Sequence, residues 1–212
     1  MLVQDIMVTE VITVTPATPL AEAYQRMRET RVRHLAVVEG GRLVGVVTDR
    51  DLRMATSALH PQPFDPEAQV DAVMARDPMT AAPRDPVEEA AQWMRQRRIG
   101  CLPVVDGDAL VGIVTNTDLL DAVVRLTGLH KPGGRLLVRL ADEPGQLGTL
   151  MGSLADKGVN VHAVLSYQAE DDVEASRLRV VLRVGTLRGH LLAESLREEG
   201  FDVRWPLKKD RL

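Results

Sequence analysis

The chain of 212 residues holds a single cysteine, Cys101. One thiol excludes an intrachain disulfide and any zinc site built on cysteines, and it fits a reducing compartment. Aromatic residues are just as scarce, at 3% (two Trp, two Tyr, two Phe). That leaves little for bases to stack on and argues against single-stranded nucleic-acid binding; Trp93 and Trp205 read as packing or interface residues. Basic runs are missing too. The net charge is −4 and no basic block exceeds the terminal "LKKDR", so the clustered Lys and Arg that hold a phosphate backbone are not there. No apolar run approaches the roughly 20 residues of a membrane-spanning helix. The opening "MLVQDIMVTE" has neither the basic start nor the apolar stretch of a secretory signal. The expectation is a cytoplasmic protein with no membrane or nucleic-acid partner.

Catalytic patterns are missing as well. The five His residues (His34, His60, His130, His162, His190) show no i, i+4 pairing, so no metal centre is expected. There is no G-x-S-x-G, no P-loop and no clustered carboxylate pair with an obvious base, and "RVGTLRG" is not a dinucleotide fingerprint. With no catalytic constellation, the chain is expected to be no enzyme and to need no catalytic cofactor. Its 45% hydrophobic and 26% charged residues are those of a globular protein with room for two to three small cores.

What is present is repetition. Residues 3–52 align with 70–119 at an offset of 67 without a gap, with roughly 22 of 50 positions identical. Such a match marks a true internal repeat. Each copy has a short lead-in, then an extended "VITVTP" or "PMTAAP" ended by proline. A helix follows, "PLAEAYQRMRETR" or "PVEEAAQWMRQRR", with apolar residues at helical spacing (Leu20, Ala23, Met27; Val87, Ala90, Met94). Two apolar strands come next, joined at Gly40-Gly41 or Gly107-Asp108, a hairpin signal. The phrase "GVVTDRDL" (45–52) or "GIVTNTDL" (112–119) ends the hairpin and starts a second helix. A Pro-rich "HPQPFDPEA" links the copies. After the break "TGLHKPGGR", the rest reads as strand, helix, two strands around the acidic "AEDDVEA", helix and strand, the βαββαβ ferredoxin-like order.

The Thr-x-x-Asp of the repeated phrase has two compatible readings. As a capping box, Thr48 offers its oxygen to the Asp51 N–H, and the carboxylate favours the positive helix end. As a ligand hand, a short carboxylate can accept from two neighbouring ribose hydroxyls, and a Thr at a helix start can seat phosphate. Gly45 and Gly112 inside strands point to something that approaches the backbone closely.

G-h-h-T-x-x-D after a hairpin, preceded by h-T-V-x-P, resembles the cystathionine-β-synthase (CBS) domain motif. Two tandem copies over roughly residues 1–125 resemble the paired arrangement called a Bateman module. The resemblance implies two repeats facing each other around a cleft for an adenosine-containing ligand: AMP, ADP or ATP. It implies Asp51 and Asp118 on ribose hydroxyls and Thr48 and Thr115 on phosphate. Arg33 and His34 are expected to reach phosphate in the first copy, where the second has Gly100 and Cys101. Thr13, Val14, Thr80 and Ala81 would wall the adenine pocket, for which apolar sides and backbone hydrogen bonds suffice. Arg31 and Arg50 also attend the first copy and Arg97 and Arg98 the second, so the half-sites are expected to differ in affinity.

"DEPGQL" at 142–147, then a helix and "GVNV", is similar to the ACT domain phrase D-x-P-G-x-L, over about 136–206. This implies edge-to-edge pairing into a homodimer and an amino acid at the interface, with Asp142, Gly145, Leu147, Asn160 and Val161 as candidate contacts. The alternative is a Pro-Gly turn, a core Leu147 and a domain that only dimerises. The expected architecture is thus α/β (α+β): CBS repeats at 1–60 and 61–126, a linker at 127–134 and a ferredoxin-like ACT domain at 135–207. The layout resembles acetoin-utilisation CBS–ACT regulators acting on an unidentified protein target. The rival expectations are a structural scaffold without sensing, or a sensor of S-adenosylmethionine or NAD.

Overall fold

In the computed structural model, which describes residues 1–168 and 177–207, the periodicities above become two units, Met1–Leu120 and Asp121–Leu212. The acidic "AEDDVEA" (169–175), expected as a loop, lies outside the described residues. Among the described residues no helix is long and apolar enough to cross a membrane.

In the first unit, β1 (Thr13–Val14) leads to α1 (Leu20–Thr30), entered through Pro19 and burying Leu20, Ala23 and Met27 along one face. Strands β2 (His34–Glu39) and β3 (Arg42–Thr48) form an antiparallel hairpin, followed by α2 (Asp49–Ala55). Gly40 and Gly41 both have positive φ (56° and 82°), as the favoured two-residue hairpin turn requires. The second copy repeats this. After a short β4 (Ala75–Arg76) come α3 (Val87–Arg97), the hairpin β5 (Cys101–Asp106) and β6 (Ala109–Thr115), and α4 (Asn116–Leu126). Helix α4 runs across the division between the units.

The two copies exchange their lead-ins. Residues 3–8 pack on the second copy: Val3 N–H donates to Asp85 O (2.9 Å), Gln4 N–H to Pro83 O (2.9 Å), and Val8 bridges Ile113. Residues 70–76 do the same on the first: Val70 N–H donates to Thr18 O (2.9 Å), Asp71 N–H to Pro16 O (3.0 Å), and β4 pairs with β3. Val3 is therefore fully buried in the core of the second copy, and Val70 in that of the first. Burying each valine contributes about 1.5–3 kcal/mol. The expected boundary at 60/61 divides the sequence into copies, but each core draws on both sides of it. A third cluster, Val46, Cys101 and Ile113, joins strands of the two copies.

This exchange explains the strand glycines. A Cβ on Gly45 would lie 2.7 Å from Met74 Sδ and 2.9 Å from Ala75 O; one on Gly112 would lie 2.6 Å from Met7 Sδ and 3.2 Å from Val8 O. The close approach foretold at these positions is made by the other copy's lead-in rather than by a ligand.

The second unit forms one antiparallel sheet in the order 202–205, 134–141, 177–184 and 161–167. Its elements run β7 (Gly134–Ala141), α5 (Gln146–Asp156), β8 (Val161–Tyr167), β9 (Arg177–Val184), α6 (Gly189–Glu198) and β10 (Asp202–Trp205). Alternation puts Leu136, Val138 and Leu140 of β7 and Val180, Leu182 and Val184 of β9 on one face. There they form a core with Leu150 and Leu154 of α5 and Leu192, Ala193 and Leu196 of α6. The order of elements is the ferredoxin-like βαββαβ.

Gly45→Ala should destabilise the protein by about 1–3 kcal/mol, as overpacking does, and by more than Gly112→Ala. Met7→Ala should relieve much of the Gly112→Ala penalty, because that clash is mainly with a flexible thioether. Met74→Ala should not rescue Gly45→Ala, because the Ala75 carbonyl stays in place. Urea unfolding of the two double-mutant cycles measures the difference.

Candidate functional site

The repeated phrase does cap its helix. Thr48 Oγ accepts from the Asp51 N–H (3.2 Å), while Thr48 N–H and Oγ–H donate to Asp51 Oδ2 at 3.0 and 2.7 Å. In the second copy, Thr115 N–H and Oγ–H both donate to Asp118 Oδ2 at 2.7 Å. An N-cap of this kind contributes about 1 kcal/mol. Yet each cap engages one oxygen only: among the described residues, neither Asp51 Oδ1 nor Asp118 Oδ1 has a hydrogen-bond partner. A carboxylate oxygen is a strong acceptor, so each cap leaves an acceptor available in a fixed position.

Both aspartates line one cavity of about 1,400 Å³ within the first unit. Of the residues expected at a cleft, Arg33, His34, Thr48, Asp51, Thr115 and Asp118 are brought together there. Thr13, Val14, Thr80 and Ala81 are not among its lining residues. Thr13 and Val14 are taken up in the ladder with β2, and Val14 and Ala81 are buried in the two main cores of the first unit. The walls come from just upstream instead, Val11 and Ile12 in one copy and Pro78 and Met79 in the other. These are repeat-related pairs. The 67-residue offset relates every lining residue except Met54 and Arg97 to another lining residue. The cavity is thus two equivalent half-sites in outline.

Arg31 and Arg98, also repeat-related, line it as well. Both adopt left-handed backbone (φ 59° and 56°) at the ends of α1 and α3, where glycine is the usual residue. Each costs roughly 1–2 kcal/mol relative to ordinary helical backbone. The sequence showed the two arginines in register as charges.

The half-sites differ most at Arg33-His34 against Gly100-Cys101. Burial holds the His34 imidazole below its ordinary pKa, and the Arg33 charge acts in the same direction; Asp49 and Asp51 oppose both. Burial, aided by the Asp51 charge, pushes the Cys101 thiol up to about 12. At neutral pH Cys101 is therefore a protonated thiol and no nucleophile. Among the described residues, no group of three or more His, Cys, Asp or Glu is arranged to hold a metal ion.

In the second unit, Gly145 (φ 91°) precedes α5, and Asp142 accepts from Gln168 Nε2 at 2.9 Å. Leu147 is exposed. The Asn160 carbonyl accepts from Gly185 N–H at 2.8 Å, and Val161 packs on the core at the start of β8.

These features define a tandem CBS pair. The CBS domain pattern matches residues 3–58 and 70–125, more than half of the 212 residues, and the chain belongs to the CBS domain family. CBS pairs are regulatory ligand-sensing modules. The chain is similar to the crystal structure of a putative acetoin utilization protein (AcuB) from Vibrio cholerae, with 33% identity and a TM-score of 0.53 over 61% of this chain and 95% of that one. It is also similar to the CBS domain pair of protein MJ0100 in complex with 5-methylthioadenosine and S-adenosyl-L-methionine (31%, TM-score 0.52, 62% and 98%). A third similar structure is CBSX2 in complex with AMP (26%, TM-score 0.53, 59% and 97%).

The low pKa of His34 predicts a pH dependence. Unfolded, the imidazole titrates near 6.5; folded, it titrates lower. Between those values the unfolded chain binds the proton and the folded chain does not, so stability is full above pH 6.5 and is lost as the pH falls. Urea unfolding of ligand-free protein should show this loss, and His34→Gln should shrink it. Cys101 should react with a thiol reagent at neutral pH only on unfolding, which a time course with and without denaturant measures.

Proposed function

We propose that the chain is a regulatory sensor whose CBS cleft binds AMP, ADP or ATP and signals through a dimerising C-terminal ACT domain. The observation that carries this reading is the pair of capped aspartates in one cavity, each with Oδ1 open. In this reading Oδ1 of Asp51 and Asp118 accepts from ribose hydroxyls. Thr48 and Thr115, with Arg33 and His34 in the first half-site, take phosphate. Val11 and Ile12, and Pro78 and Met79, supply the adenine walls in place of Thr13, Val14, Thr80 and Ala81. The adenosine compounds held by two of the similar structures support the ligand class, and the AcuB likeness supports a role in acetoin utilisation. The ferredoxin-like second unit and "DEPGQL" support an ACT domain at 135–207, with Asp142, Gly145, Leu147, Asn160 and Val161 as its amino-acid contacts.

S-adenosylmethionine is the second reading, favoured by the MJ0100 complex. The nucleotides are preferred because Arg31, Arg33, Arg50, Arg97 and Arg98 line the space together with Glu10, Asp49, Asp51, Asp77 and Asp118, and guanidinium groups are strong partners for phosphate.

Thermal melting with AMP, ADP, ATP, S-adenosylmethionine and NAD tests the reading. A ligand at 100 times its dissociation constant adds about 2.7 kcal/mol, and one of the three nucleotides should raise the melting temperature most. No shift with any of them would contradict it. Asp51→Asn and Asp118→Asn keep an oxygen for the cap and lose the charge. At least one should weaken nucleotide binding about tenfold, as expected when a charged hydrogen bond of about 1.5–3 kcal/mol is lost, with little change in ligand-free stability.

A further inference from the structure

His34 breaks the two-fold relation of the cleft in a way that the repeat alignment does not reveal. Its counterpart is Cys101, and the counterpart of its neighbour Arg33 is Gly100. A Cβ on Gly100 would lie 2.7 Å from His34 Nε2 and 3.4 Å from Cε1. The imidazole therefore stands where any side chain at residue 100 would have to be. The backbone gives no other reason for glycine, since Gly100 is not among the positive-φ glycines. Gly100 leaves the room, and His34 fills it from the opposite copy.

The surroundings of the ring are mixed in charge. Burial and then Arg33, just before the strand, disfavour the imidazolium, and Asp49 and Asp51 of α2 favour it. Arg50 of α2, Arg31 at the end of α1, and Arg97 and Arg98 at the end of α3 line the same cavity with positive charge, and Glu10, Asp77 and Asp118 line it with negative charge. Thr48 lies opposite in the β2–β3 ladder, and the Cys101 thiol stays neutral. Burial, ahead of these charges, keeps His34 short of its proton. A phosphate entering the cleft changes that balance, because an anion beside a buried imidazole favours its charged form. The charged ring then donates a hydrogen bond roughly twice as strong as a neutral one.

Resting on the nucleotide reading above, in which His34 meets phosphate, we propose that His34 takes up a proton as a phosphorylated ligand binds. Gly100 admits it, and it makes one half-site bind nucleotide more tightly as the solution is acidified.

Titration calorimetry of the full chain with AMP and with adenosine, at about pH 6 and about pH 8, tests this across the range in which histidine switches. AMP itself titrates in that range, so the readout is the ratio of wild-type to His34→Gln affinity at each pH, in which the ligand's own titration cancels. The ratio for AMP should rise about threefold or more on acidification, and the ratio for adenosine should stay level. In buffers of different ionisation enthalpy, wild-type AMP binding should take up more protons than His34→Gln binding. Gly100→Ala should behave as His34→Gln does. A level AMP ratio with equal proton uptake would overturn the proposal, as would a Gly100→Ala protein that keeps the wild-type pH dependence. Failure of the wild type to bind AMP, ADP or ATP at either pH would overturn the nucleotide reading itself, and the proposal with it.

Discussion

The first unit depends on a reciprocal contact, a methionine from each copy seated on a glycine of the other. Met74 over Gly45 and Met7 over Gly112 bring each lead-in onto the opposite hairpin, where backbone hydrogen bonds at 2.9–3.0 Å hold it. Neither core is complete without the exchange, because Val3 and Val70 are buried across it. The two copies are therefore tied as one body, and this contact sets the shape of the cavity that both hairpins line. Preorganisation of this kind lowers the ordering cost of binding.

The same tie explains how one phrase does two tasks. The Thr-x-x-Asp box uses Oδ2 to stop each strand and begin each helix. Because the cap fixes the carboxylate, its other oxygen is held in place with no further rotamer freedom to lose. Asymmetry is then added to a symmetric frame. His34 crosses toward Gly100, and Asp49-Arg50 in one copy stands where Asn116-Thr117 stands in the other. Equal outlines with unequal charge suit a cleft that grips its two halves differently.

Much of this was legible in the sequence, for identifiable reasons. Gapless repetition, proline-entered helices and a Gly-Gly hairpin are local signals, and the structure returns them at the expected residues. The strand glycines announced a close contact, but which group makes it depends on the path of the chain between copies, which no local pattern records. The cavity is lined by Val11 and Ile12, just upstream of Thr13 and Val14, which the ladder with β2 takes up. Gly100 was harder still. Its partner is His34, a position that the repeat does not pair with it, so only the assembled fold brings the two together. The arginines at the ends of α1 and α3 were visible as charges, while their left-handed backbone was not.

In the proposed sensor, the oxygens left free by the two caps accept from the nucleotide. A crystal structure of the full chain grown with ADP tests it most directly. Ribose hydroxyls should lie within hydrogen-bond distance of Oδ1 of Asp51 or Asp118, with Oδ2 still on its threonine. ADP bound outside this cavity, or an empty cleft at saturating nucleotide, would contradict it.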